Sequence, residues 1–154
     1  AKPDVVMAGQ AFDGAGNKVA QGRGQVATPL SLPKGGIALV QVTFDAPLPD
    51  PFTIEWEVRK GDREKDAVDL TVTSLAIDEA GNVVANVKNS TDGRAKVVFV
   101  VVLCLDEAEN AIGITTIPGP DARMAKGASA RIEGSVGPGC ASGVAGAIGT
   151  KKVT

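Results

Sequence analysis

Short apolar runs interrupted by turn-forming residues recur along the whole chain, and they constrain its fold more than any other feature. Most runs are five to ten residues long, are rich in Val, Ile and Thr, and end in Gly, Pro, Asn or Asp. Helical periodicity is hard to find, and turn signals every eight to twelve residues are typical of all-β domains. The sequence therefore predicts an all-β fold, an antiparallel β-sandwich of about nine or ten strands.

Two strands are informative in detail. Phe52–Arg59 alternates Phe52, Ile54, Trp56 and Val58 with polar residues, which predicts a half-buried strand with one wet face. Val97–Leu105 is apolar on both faces and is expected to be a central strand covered on both sides. The full set of predicted strands is Val5–Phe12, Gln25–Leu32, Ile37–Phe44, Phe52–Arg59, Val68–Ile77, Val83–Lys88, Lys96–Leu105, Ala111–Ile117 and Ala128–Val136, with Val144–Val153 as a further candidate.

Composition excludes several classes of function. The chain has no His, which removes Ser–His–Asp and Cys–His catalysis and the commonest metal ligand. Its net charge of −2 and its 3% aromatic content provide no basic surface with stacking platforms for nucleic acid. The longest strongly apolar run, Val97–Leu105, is too short to span a bilayer, so no membrane insertion is expected.

Carboxylate groups are the remaining candidates for chemistry. Glu55/Glu57 and Glu107/Glu109 are pairs that a glycosidase could use, but such enzymes grip sugars with several aromatics, so solvated faces are the favoured interpretation. Asp13, Asp78 and Asp106 each open a short Asp-x-x-[Gly/Glu]-Asn repeat. These repeats predict hairpin turns rather than calcium loops, because the acidic residue that closes a calcium loop is absent. No catalytic residue, metal site or cofactor is predicted.

The two cysteines bear on the compartment. Cys104 and Cys140 lie 36 residues apart and match no metal or redox spacing, so one disulfide is favoured over two buried thiols. A disulfide indicates a location outside the reducing cytosol, and we expect an extracellular or cell-surface protein. The start at Ala1 fits either removal of a signal peptide, which that location implies, or removal of an initiator Met from a cytosolic chain.

Residues 77–136 resemble a known family. Ile77-Asp78 through Asn89-Ser90, the apolar run to Leu105, Asp106 through Ile112-Gly113, and Met124 through Ile132 are similar in order and turn chemistry to the FxLYD-type domain. That family is an immunoglobulin-like β-sandwich of bacterial and archaeal extracellular proteins, and the likeness extends over about 68–137. The chain departs from it at Leu103-Cys104-Leu105-Asp106, where an aromatic residue usually precedes the Asp. The resemblance implies an immunoglobulin-like fold and no catalytic residues.

The predicted organisation has four parts. Residues 1–60 form a strand-rich module, 61–67 a charged linker, 68–138 the FxLYD-like sandwich, and 139–154 a Gly-rich tail or edge strand. The favoured function is a non-catalytic extracellular module that binds a protein partner, or itself, through sheet edges. The alternatives are an enzyme with an unrecognised carboxylate site and a self-assembling filament or virion subunit. The N-terminal segment Val5–Phe12, with Val5, Val6, Met7 and Phe12, is expected either to close the chain's own sheet or, in such a subunit, to insert into the sheet of a neighbour.

Overall fold

The two halves of the chain form separate β units. The structure, a computed structural model, describes residues 4–24, 27–29, 34–35, 38–61 and 65–152. Every regular element in these ranges is a strand, and the chain divides into Ala1–Arg63 and Glu64–Thr154. This division falls within the predicted linker, of which residues 62–64 lie outside the described residues.

The N-terminal unit contains a four-stranded antiparallel sheet and a small separate ladder. The sheet has the order β5-β2-β1-β6, and β3 pairs with β4 in the ladder. The strands are β1 (Asp4–Asp13), β2 (Lys18–Gly24), β3 (Ala27–Thr28), β4 (Leu39–Val40), β5 (Thr43–Phe44) and β6 (Phe52–Gly61).

The C-terminal unit is an antiparallel β-sandwich. Its strands are β7 (Ala67–Ile77), β8 (Asn82–Lys88), β9 (Lys96–Leu105), β10 (Ala111–Pro118), β11 (Ser129–Ser135) and β12 (Ser142–Thr150), in the order β10-β9-β12-β7-β8-β11. Strand β7 belongs to both layers, because its first four residues pair with β12 and the rest pair with β8. A register shift between Val72 and Ser74 interrupts the β7–β8 ladder.

The pairing in this unit is immunoglobulin-like. Its first, second and fifth strands (β7, β8, β11) share one layer, and its third and sixth strands (β9, β12) are neighbours in the other, as strands A, B, E and C, F are in that fold. The position beside the sixth strand, which a seventh strand usually takes, is filled by Ala67–Leu70 of β7. The predicted fold class is confirmed.

The core of the C-terminal unit lies between the two layers and is aliphatic. Val83 and Val87 of one layer and Val100 and Val102 of the other are fully buried. The layers approach closely where a side chain is missing, since a Cβ on Gly134 of β11 would lie within 3 Å of the Ile117 side chain of β10. Other buried members of this cluster are Leu70, Ala85, Ala95, Val97, Met124, Ile132 and Ala147.

The three Asp repeats are hairpin turns with one shared geometry, as predicted. In each, an Asp Oδ1 accepts hydrogen bonds from the backbone N–H four residues later, at Asn17, Asn82 or Asn110. The same Asn side chain donates back to the Asp Oδ2. The third residue after the Asp has a positive φ of 83° at Gly16 and Gly81 and 62° at Glu109. These turns join β1 to β2, β7 to β8, and β9 to β10.

Several predicted strand boundaries were wrong. Lys18–Gly24 is a strand that the pattern missed, because its apolar residues are separated by Gly, Gln and Arg. Gln25–Leu32 and Ile37–Phe44 contain only the two-residue strands β3, β4 and β5, and parts of both segments lie outside the described residues. The C-terminal segment is not a tail or an edge, because β12 lies between β9 and β7. Its glycines allow close packing there: a Cβ on Gly143 would lie 2.7 Å from the Ile77 side chain.

Candidate functional site

Strand β6 is an exposed edge with an apolar face. It pairs with β1 over ten residues, from Asp4↔Gly61 to Asp13↔Phe52, and no described strand pairs with its other side. Phe52, Trp56 and Val58 share one face of β6 and are 46%, 50% and 66% exposed. The expectation that this face is buried was therefore wrong. The alternation of apolar and polar residues along the strand was predicted correctly. Burial of the apolar face also requires a second layer from other parts of the chain, which the strand's own sequence does not reveal.

A transverse row of residues positions the Trp56 ring. Phe44, Gly22, Gly9 and Trp56 occupy neighbouring positions on β5, β2, β1 and β6. The two rings meet edge to face with centroids 6.1 Å apart. A Cβ on Gly9 would lie 2.9 Å from both rings, so the glycine lets the aromatic side chains lie over β1. Trp56 is thus held against the sheet while half of its surface faces solvent.

The opposite face of β6 is charged. Thr53, Glu55, Glu57 and Arg59 are all exposed, and the Arg59 guanidinium donates to the Glu57 carboxylate over 2.6 Å. This hydrogen bond and the charge of Arg59 hold the pKa of Glu57 below its ordinary value and raise the pKa of Arg59. Because both groups are in water, the pair contributes little to stability. The pair places a negative charge at Glu57 and a positive charge at Arg59 on the same face of this edge strand.

The other sheet edges among the described residues carry features that oppose pairing with another chain. Strand β5 has only two residues, and β10 has an irregularity between Ala111 and Gly113 and ends at Pro118. Strand β11 exposes an Arg131–Glu133 ion pair, as β6 exposes Glu57–Arg59, but its large apolar residue, Ile132, is buried in the core, so it offers no exposed apolar face. Strand β6 has neither a proline nor a register shift, and its apolar face is open. It is the edge best suited to pair with another chain.

The predicted carboxylate pairs lie on exposed surfaces, and the one charged partner described for them is Arg59, which pairs with Glu57. Glu55 and Glu57 lie along the solvent face of β6, and Glu107 and Glu109 lie in the exposed turn after β9. The carboxylates of Asp13, Asp78 and Asp106 are engaged by N–H donors of their own turns. Among the residues that the structure describes, no group of three or more Cys, Asp or Glu side chains is arranged to hold a metal ion.

The cysteines form a disulfide between Cys104 of β9 and Cys140 of the loop before β12, with Cα atoms 5.5 Å apart. Both residues are buried. The bridge joins neighbouring strands, because Gly143 of β12 pairs with Cys104 itself. It therefore reinforces a segment that is already part of the sheet.

The N-terminal segment proposed for strand exchange closes the chain's own sheet. Val5, Val6, Met7 and Phe12 lie in β1, which pairs with β6 on one side and with β2 on the other. Val6 is buried. To exchange, β1 would have to leave two neighbours. Since β12 also has two, the described termini are occupied.

Asn89 is a buried polar residue whose role the sequence did not reveal. Its Asn-Ser-Thr context fits a glycosylation site, but the side chain is fully buried. Its Nδ2 donates to the carbonyl oxygens of Gly93 and Met124, and its Oδ1 accepts from the Thr91 hydroxyl. Asn89 therefore fixes the crossing from β8 to β9, and its amide is not available to carry a glycan. The sequence feature that indicates this structural role is the segment Asn-Ser-Thr-Asp-Gly, whose residue types are typical of a tight turn.

The comparisons identify no relative. No family model, no curated protein and no solved structure matches this chain. In the described part of the chain, no helix is long and apolar enough to cross a membrane.

Proposed function

We propose that this chain is a non-catalytic β-sandwich protein of the extracellular space or cell surface that acts by binding a protein partner through the edge of β6. The observation that carries the proposal is the combination on that strand of an unpaired edge, exposed Phe52, Trp56 and Val58, and a ladder with neither a proline nor a register shift. Strand addition at such an edge supplies main-chain hydrogen bonds, and the alternate side chains supply specificity.

The compartment is supported by the disulfide. Bridges persist in oxidising compartments and are rare in the cytosol. The resemblance of residues 68–137 to the FxLYD-type domain, which is typical of extracellular proteins, points the same way. A non-catalytic role is supported by the described carboxylates, which lie on strand faces and in turns rather than in a shared recess.

Labelling of intact cells tests this function. A membrane-impermeant biotin reagent, applied to cells that express the chain from its own gene, should label its exposed lysines without lysis. A cytosolic protein of the same cells serves as the control for leakage. Protection of the chain until the cells are lysed would contradict the extracellular assignment.

A further inference from the structure

We infer that the partner of β6 is β6 of a second copy of this chain, added antiparallel about a two-fold axis through Val58. The inference deepens the proposed function and rests on it for the role of this edge. It concerns purified protein, so it is tested separately from the compartment. The joint sheet would have eight strands, with the two β6 strands at its centre.

The alternation of β6 restricts where the axis can lie. Two antiparallel copies place residues at equal distances from the axis opposite each other, on the same face of the sheet. If the axis lies between the two copies of one residue, each even-numbered residue of one copy is opposite an even-numbered residue of the other. The apolar faces of the two β6 strands then lie on the same side of the joint sheet. An axis between two residues would place Trp56 and Val58 of one copy beside charged residues of the other, at the expense of both sets of contacts.

The charges of the opposite face choose among the residue-centred axes. With the axis at Val58, Glu57 of each copy lies opposite Arg59 of the other, which gives two pairs of opposite charge. An axis at Glu57 places that carboxylate opposite itself, and an axis at Trp56 places Glu55 opposite Glu57 twice. Opposite charges directly across a ladder stabilise it and like charges destabilise it. The register centred on Val58 is the one residue-centred register that pairs opposite charges directly and has no like-charge pair.

The apolar face supports the same axis. Val58 is the most exposed large apolar residue of the strand, at 66%, and on the axis it would face its own copy. On either side of this pair, Trp56 of one copy would lie opposite Lys60 of the other, a combination that a cation–π contact favours. Self-pairing also explains why a ten-residue edge has no bulge: an interruption would break the ladder in both copies at once.

Cysteine crosslinking tests the register. The described cysteines are both in the disulfide, so a single introduced Cys provides one reactive thiol. In Val58→Cys, the two thiols would face each other across neighbouring strands, about 4.5–5.5 Å apart at Cβ. We expect mild oxidation to give a covalent dimer at least roughly tenfold faster than in the control Thr53→Cys, whose copies would be about 34 Å apart at some 3.4 Å per residue. Equal or slower crosslinking of Val58→Cys would overturn the register.

Association of the unmodified chain tests the interface itself. Sedimentation of the full chain at rising concentration should show a species of twice the 15.6 kDa monomer mass. Val58→Lys brings two like charges onto the axis and should raise the dimer Kd at least about tenfold. The exposure of Val58 makes that variant compatible with the monomer fold, which circular dichroism checks.

Reversing the charges of Glu57 and Arg59 distinguishes the proposed interface from non-specific association. Arg59→Glu alone should weaken the dimer, whereas Glu57→Arg combined with Arg59→Glu should restore it, because both cross-strand pairs return with reversed sign. A wild-type chain that stays monomeric to millimolar concentration, or a dimer unaffected by all three variants, would overturn the inference. Surface labelling of intact cells with a monomeric chain would leave the proposed function standing with a different partner.

Discussion

At the scale of single residues, two glycines with the same backbone conformation differ in how closely other parts of the chain pack against them. Gly16 and Gly81 both have φ of 83° in equivalent turns. A Cβ on Gly16 meets nothing within 4 Å, whereas a Cβ on Gly81 would lie 1.9 Å from the carbonyl oxygen of Gly137. That contact accompanies the hydrogen bond from the Val136 N–H to the Gly81 carbonyl. The turn after β7 is therefore packed against the loop that follows β11.

Alanine substitution should separate strain from packing. Gly16→Ala forces a side chain into the left-handed region and should lower the free energy of unfolding by about 1–2 kcal/mol. Gly81→Ala carries the same strain and a backbone clash, which should cost roughly 1–3 kcal/mol more. Urea unfolding of the two variants measures the difference. Equal losses would show that the Gly81–Gly137 contact relaxes freely.

The turn carboxylates make stability depend on acid. Hydrogen bonds from the Asn17 backbone and side chain lower the pKa of Asp13, and those from the Asn82 side chain and backbone lower the pKa of Asp78. A lowered folded-state pKa gives stability that is present above the unfolded value of about 3.9 and is lost as pH falls through the folded value. The free energy of unfolding should thus decrease progressively below about pH 5.

Asp→Asn variants test this dependence. Asp13→Asn with Asp78→Asn should show a shallower loss of stability between neutral and acidic pH than the unmodified chain. The matched control is Asp45→Asn, which removes a carboxylate that accepts from the Gln21 N–H outside the repeats. An unchanged acid slope in the double variant would contradict the linkage.

At the scale of elements, the disulfide and β12 act together. If residues 139–154 formed the tail predicted from the sequence, the bridge would be what holds them, but β12 has a strand on each side and contributes Ala147 to the core. Removing the bridge with Cys104→Ala and Cys140→Ala should therefore lower stability through the unfolded state, by about 3–4 kcal/mol for a 36-residue separation.

Hydrogen exchange distinguishes the two expectations. We expect the β12 amides to remain protected in the double variant and to lose the same free energy as those of β9 and β8. Exchange that is fast in β12 alone would show that the bridge holds the strand locally.

At the scale of the whole molecule, the two units differ in the core that each buries. The C-terminal cluster draws residues from all six of its strands. In the N-terminal unit, the buried apolar side chains among the described residues are Val6, Ala11 and Ala20. A chain of about 60 residues with so small a core has little stability of its own.

Fragments test this contrast. Residues 64–154 should fold alone and unfold cooperatively on heating, because they contain every described member of the core. Residues 68–138, the boundary that the sequence suggested, should not, since they lack β12 and Cys140. Cooperative unfolding of that shorter fragment would show that β12 is dispensable.

The structural features that depend on residues close together in the sequence were predicted correctly in most cases. The all-β class, the three Asp turns, the central position of β9 and the pairing of Cys104 with Cys140 follow from alternation, turn chemistry and residue count, which depend on near neighbours in the chain. Strand β2 was missed because polar residues and glycines separate its apolar positions. The short strands β3 to β5 were overestimated because apolar runs do not report whether a partner strand lies beside them.

Only the tertiary structure decided which strands have neighbours and which faces are covered. The alternation of residues in Phe52–Arg59 correctly separates its two faces. An apolar face is buried only if another layer of the fold packs against it, however, and the residues of such a layer would come from other parts of the chain. For the same reason, the Gly-rich C-terminal segment is central rather than peripheral, since its small residues suit close packing between β9 and β7. Strand order depends on contacts between residues far apart in the chain, and no local pattern encodes them.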